Sequence, residues 1–155
     1  KISHKPNIFY GNYTERLEDW QAIRNIVNEV DNPIDIIVNI FQHCPRTKTN
    51  TDIYKKDTWL TGWQLIERNE YDIFDISLLV CYTVLLTDNF NDTDVKIHTV
   101  YTKEHSSNNH KFNYIIEMMN CYIDAYSMAK LSKSEFDKHY VLQYTTHIQK
   151  PINIE

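Results

Sequence analysis

An α+β domain, with N-terminal helices and a central apolar helix packed on a C-terminal antiparallel sheet of about four strands, is the fold class this sequence predicts. Three observations predict it. Apolar residues recur at three- and four-residue steps through the first half, a run from Asp72 to Leu86 is apolar on most sides, and beyond Asn91 the period becomes two. The 155 residues suit one domain, 1–155, mainly helical over 12–88 and mainly strand over 95–149. A chain of this length can bury roughly 70% of the surface it exposes when unfolded, enough for one core. No internal repeat, low-complexity block or Gly/Ser linker marks a second domain.

From Asn12, the residues Leu17, Trp20, Ile23, Val27 and Val30 fall on one face of an amphipathic helix. Asp31-Asn32-Pro33 ends it and starts another, with Asn32 as N-cap and Pro33 at the first helical position, where a missing N–H costs nothing. This second helix runs to about Cys44 and buries Ile36, Ile37, Ile40 and Phe41. A polar loop, Pro45 to Lys56, follows. Asp57 or Thr58 caps a short helix carrying Trp59, Trp63 and Ile66. The helix from Asp72 to Leu86 carries nine apolar residues between Ile73 and Leu86, which makes it central to the fold.

Val95 to Lys103 alternates Val95, Ile97, Thr99 and Tyr101 as a strand, and Glu104 to His110 is a polar hairpin connection. Lys111 to Met119 and Cys121 to Tyr126 form two strands joined tightly near Asn120. Ser132 and Glu135 make a capping box for a short helical turn. Tyr140 to Gln149 is a last strand, and Lys150 to Glu155 is expected to fray.

Charge and cysteine content narrow the function. Sixteen basic against 21 acidic residues give a net charge of −5, which argues against a nucleic-acid backbone as the main partner. No apolar run approaches the ~18 residues of a membrane span, and KISHKPNIFYGNY lacks the basic-then-apolar plan of a signal peptide. Cys44, Cys81 and Cys121 are too few and scattered for a disulfide framework, and a reducing, cytoplasmic setting fits them. Enrichment in Ile, Asn, Lys and Tyr is what AT-rich coding DNA produces, and hints at an AT-rich bacterium or a bacteriophage.

The stretch Asp57 to Asp75, DTWLTGWQLIERNEYDIFD, has the layout of a cysteine-enzyme active-site segment without the cysteine. It resembles bacterial transglutaminase-like cysteine peptidases of the papain-like superfamily. Members of that family carry an Asp-aromatic-Trp start, a Thr-Pro, an apolar helix, and Gly-Asp-Cys-Glu-Asp leading into the central helix. Asp57, Trp59 and Thr61 match, Gly62 stands at the Pro, and Tyr71-Asp72-Ile73-Phe74-Asp75 lies over the nucleophile motif. The resemblance implies that Ile73 occupies the cysteine position. It also implies that Asn113, beginning Asn113-Tyr114-Ile115-Ile116-Glu117, occupies the histidine position, and that Asp124 retains the acid. It extends over about Asp57 to Tyr126.

Other side chains favour plain structural roles. Cys44 sits near a helix C-terminus and Cys81 inside the most apolar helix, both settings that disfavour a thiolate, while Cys121 lies beside a strand turn. The seven histidines, among them His43, His98, His105 with His110, and His139 with His147, show no metal-ligand spacing. Asp72 and Asp75 are what a helix N-terminus favours. Trp59 and Trp63, four apart, form a helical ridge of the kind that usually faces a core. Eleven tyrosines are not interleaved with basic residues as a single-strand platform requires, and two glycines exclude a phosphate-binding loop.

The expectation is a non-catalytic, protein-binding module on a degenerate transglutaminase-like scaffold, a phage-encoded accessory or host-interaction factor acting in the host cytoplasm, with no cofactor and no metal. Its binding cleft is expected near Trp59, Tyr71, Asp72, His110 and Asp124, because a groove survives the loss of its nucleophile. Two alternatives belong to other classes. One is a thiol-dependent hydrolase or acyl transferase using Cys121 or Cys44; the other is an acidic inhibitor of a nucleic-acid-binding protein.

Overall fold

Helices come first and strands after them in this computed structural model, which describes residues 5–48, 51–103 and 112–150. Asn12 caps α1 (Tyr13–Glu29) through a capping box with Glu15, and the helix buries Trp20, Ile23 and Val27 as its spacing predicts. It also buries Arg16, whose guanidinium donates to the carbonyls of Gly11, Ile66 and Glu67. α2 (Ile34–Phe41) is shorter than the sequence suggests. The Asn32 side chain accepts from Ile34 N–H, so Pro33 stands at the cap and not inside the helix. The helix stops at Phe41 and not near Cys44, because the residue before Pro45 is biased out of helical geometry.

The expected helix carrying Trp59 divides in two. Lys56–Thr58 forms one turn of 3₁₀ helix, and α3 (Gly62–Arg68) starts at its own capping box between Thr61 and Gln64. Trp59 therefore lies in the connection, and it shares no helical ridge with Trp63. Gly62 is required here: a Cβ would collide with the fully buried Trp20 ring. Trp20 also donates from Nε1 to Thr83 on α4 (Ile73–Leu85) at 2.9 Å. Every residue of α4 from Phe74 to Leu85 is buried, so the most apolar segment of the sequence is the central helix.

Among the described residues the sheet has five antiparallel strands, β1 (Val95–Thr102), β2 (Phe112–Met118), β3 (Cys121–Asp124), β4 (Lys130–Leu131) and β5 (Tyr140–Ile148), in the order β4-β3-β2-β1-β5. The fifth, β4, is two residues long and shows no period in the sequence. Met119 and Asn120 both have positive φ, near 52° and 59°, the geometry of a tight two-residue hairpin between β2 and β3. After β4 the chain crosses the sheet in α5 (Lys133–His139), capped by Ser132 and Glu135 as expected, and enters β5 at the far edge beside β1. The expected connection Glu104 to His110, with His105, lies outside the described residues, as do 151–155.

Each face of the sheet has its own cover. α4 packs against β2, with Phe74 in edge contact with Tyr114 at 5.2 Å, and Val95, Ile97, Ile116, Met118, Ile123 and Ile148 join the main core on that side. Val100, Ile115 and Tyr122 point the other way and meet Phe136 of α5 in a small second core. One irregularity breaks the alternation: Thr99 pairs with Tyr144 but Val100 pairs with Leu142, leaving Gln143 as an extra residue in β5. Among the described residues no helix is long and apolar enough to cross a membrane.

Candidate functional site

The start of α4 is a polar knot set in apolar surroundings. Asp72 is the N-cap and its carboxylate accepts from Asp75 N–H at 2.7 Å, while Asp75 accepts from Asp72 N–H at 3.2 Å. Thr51 ties both acids to the preceding loop, donating to Asp72 from its backbone and hydroxyl at 2.6 and 2.7 Å, with the hydroxyl also 2.9 Å from Asp75. Arg68, at the end of α3, pairs with Asp75. Burial, and then the neighbouring charge of Asp72, push the Asp75 carboxyl above the usual carboxylate range; the hydrogen bonds and Arg68 pull less strongly the other way. The two acids are thus occupied in holding the helix end, the structural role their spacing suggests.

A groove of about 280 Å³ opens beside this knot, lined by Thr47, Lys48, Thr51, Asp72, Ile73, Phe74, Phe112 and Tyr114. Ile73, at the first position of α4, stands where the resemblance implies the nucleophile. Across from it is Tyr114, whose hydroxyl is pushed up to about 12 by burial, then by Asp72, Tyr54 and Tyr101.

Asn113 and Asp124 do come together, with Asn113 Nδ2 donating to Asp124 Oδ1 at 2.8 Å. They do so on the α5 face. Successive strand residues alternate faces, so with Tyr114 toward α4, Asn113 points away from it. Asp124 Oδ2 accepts from the Tyr140 hydroxyl at 3.0 Å, and its Oδ1 accepts from Tyr126 and Ser127 N–H, which fixes the turn after β3. Ile73, Asn113 and Asp124 therefore do not form one constellation. The α4-facing residues of the same strands, Tyr114 and Ile123, supply no imidazole and no carboxylate.

Of the expected cleft residues that are described, only Asp72 lines the groove. Tyr71 is fully buried, against Phe9 at 5.7 Å, and burial drives its hydroxyl pKa well up. Trp59 leans on Phe74 at 5.0 Å and donates from Nε1 to Asp52 O at 3.2 Å. Asp124 is on the opposite face, and His110 lies outside the described residues.

An aromatic shelf continues from the groove across the end of the sheet. Phe112, Tyr101 and Val141 are paired neighbours across β2, β1 and β5, and Tyr114, Thr99 and Tyr144 form the next row. Tyr54 packs on Tyr144 with ring centroids 5.4 Å apart. Tyr54 (71%), Phe112 (49%), Val141 (45%) and Tyr144 (42%) are all substantially exposed. The sequence reading missed this shelf. Alternation in β1 and β2 would have placed Tyr101, Phe112 and Tyr114 on one face, but the extra residue in β5 hides that Tyr144 joins them.

No cysteine offers a ready nucleophile. Burial pushes the thiols of Cys44 and Cys81 far up, and burial also raises that of Cys121. The best-formed polar chain on the α5 face is His98, with Nδ1 2.8 Å from Thr145 Oγ1 and Nε2 2.7 Å from Glu117 Oε1. Its ring lies against Phe136 and Tyr122, so the chain is a buried cross-strand tie. A second groove, about 380 Å³, lies between α1, α2 and the N-terminal segment, lined chiefly by Ile23, Ile26, Ile36 and Ile40. Among the described residues no group of three or more His, Cys, Asp or Glu side chains is placed to hold a metal ion. No family model matches this chain, and neither a curated protein nor a solved structure is found to be similar to it.

Proposed function

We propose that this protein is a non-catalytic protein-binding module whose contact surface is the groove at the start of α4 together with the aromatic shelf beside it. The observation that carries this reading is the shelf itself. Tyr54, Phe112, Val141 and Tyr144 expose apolar surface contiguously at one end of the sheet, next to a concavity. Tyrosine and phenylalanine in such a setting supply large, rigid contact area at low entropic cost, the composition of protein-binding hot spots. Lys48 and Thr47 at the groove give a partner polar groups to orient against.

The element order and Ile73 at the head of the central helix favour a degenerate transglutaminase-like scaffold; Asn113 and Asp124, on the α5 face, do not. The thiol-hydrolase alternative requires a thiolate near neutral pH, and the burial of Cys44 and the raised Cys121 thiol oppose it. Two measurements test the reading. Alkylation of the native protein from about pH 5 to 9 is expected to be slow at all three cysteines; fast reaction below neutrality, with thiol-dependent amide hydrolysis, sinks it. A photo-crosslinking residue at Phe112 is expected to capture a discrete partner that is lost when Tyr54→Ser and Tyr144→Ser are added. Capture indifferent to those changes moves the contact surface elsewhere.

A further inference from the structure

We infer that two copies of this chain pair antiparallel along β5 and join their sheets into one. The starting point is an edge. Among the described residues β5 has a sheet neighbour, β1, on one side only, so the nine residues Tyr140–Ile148 turn half of their backbone N–H and C=O groups outward. Edges of this length are usually blunted by lysine, proline or inward charge. YVLQYTTHI contains none of these, and instead exposes Val141 (45%), Leu142 (51%) and Tyr144 (42%). The extra residue at Gln143 is the one protective device present, and it sits in the middle of the strand, leaving ladder-competent backbone on both sides.

Charge and register identify the occupant as a second copy. Two chains of net charge −5 repel, and β5 carries no Asp, Glu, Lys or Arg, so it is a stripe along which two copies meet with little repulsion. Facing residues of an antiparallel pair share a face. Val141 and Tyr144 lie on the α4 face, opposite Tyr101 and Thr99, whereas Tyr140 and Thr145 lie on the α5 face, opposite Thr102 and His98. A two-fold axis that sets Val141 against Tyr144 of the other copy also sets Tyr140 against Thr145, so these four side chains meet partners on their own faces, over the six residues Tyr140–Thr145. The same axis merges the two aromatic shelves into one. Closure is built in, because the opposite edge of the sheet, β4, is only two residues long and cannot template a further copy.

This goes beyond the protein-binding reading and can fail without it. In sedimentation equilibrium at about 0.1 mM, the wild-type chain is expected at twice its 18.6 kDa mass. The Val141→Lys/Tyr144→Lys variant is expected to dissociate at least about tenfold more readily, with an unchanged far-UV spectrum. A mixture of Val141→Cys and Tyr144→Cys chains is expected to form the mixed disulfide and little of either homodisulfide, which reads the register even where the lysine variant fails to fold. A wild-type monomer at that concentration, a dimer indifferent to the lysines, assembly beyond two copies, or homodisulfides equal to the mixed product each overturns the inference.

Discussion

The two faces of the sheet are built on different principles. On one face a thirteen-residue helix, with three more helices behind it, buries a largely apolar layer, and two of its polar side chains, Ser77 and Thr83, bond back to carbonyls four residues earlier. On the other, a seven-residue helix inserts one large side chain, Phe136, onto Val100, Ile115 and Tyr122, and polar ties flank that small cluster: His98 with Glu117 and Thr145, and Asn113 with Asp124 and Tyr140. The thin cover cannot exclude water fully, so side chains that satisfy one another there cost less to place than they would under α4. Bonded polar groups on the thin face are committed to structure, whereas the apolar face, where it runs out from under α4, carries the partly exposed Tyr54, Phe112 and Tyr144.

The largest effect should separate the faces. Leu79→Ala, in the middle of α4, is expected to cost about 3–4 kcal/mol, since the fully buried site cannot collapse around the cavity. Phe136→Ala removes a larger side chain but should cost only about 2 kcal/mol, because the small cluster around it can close on Tyr122 and Tyr140. Urea unfolding of both variants measures the pair. Equal losses would mean that α5 carries as much of the fold as α4, and the comparison would break.

A smaller effect, with a definite sign, comes from the acids at the head of α4. Asp75 holds its proton more tightly in the folded chain than in the unfolded one, so between its unfolded value, about 3.9, and its raised folded value the native state binds more protons. Stability contributed by this group is therefore present in acid and lost as pH rises through the folded value. Against Asp75→Asn, which does not titrate, the wild type should gain ground as pH is lowered through the raised folded value toward about 4. A difference that is flat, or that shrinks with acid, would show Arg68 outweighing burial.

How much of this was legible in the sequence follows from the same physics. Periods of 3.6 and 2 placed α1, α4, β1, β2 and β5 within a residue or two, because each runs long enough for its pattern to repeat. β4, two residues long, has no pattern to read, and around Trp59 the sequence offers two competing helix starts, Asp57 or Thr58 and the capping box of Thr61 with Gln64, of which the second begins α3. The site failed on parity. Matching Asn113 and Asp124 to a constellation fixes their order along the strands but not their face, and one residue of register decides between α4 and α5. The buried Arg16 and the shelf at Tyr144 were illegible for a related reason, since both depend on partners distant in the chain.

Parity also gives the finest test of the resemblance to a cysteine enzyme. With Ile73→Cys as background, a thiol is placed at the first position of α4, where the helix dipole lowers its pKa and Asp72 and Asp75 raise it. Adding Tyr114→His puts an imidazole on the α4 side of β2, beside the groove. Adding Asn113→His puts it on the far face, with Asp124. The first pair is expected to react with iodoacetamide at pH 7 several-fold faster than the single Ile73→Cys variant, and the second at the same rate as that variant, roughly the few-fold range one neighbouring imidazolium gives a thiol. If Asn113→His were the accelerating change, the strand would have to turn over to bring it there, and the register of β2 against α4 would be the statement to abandon.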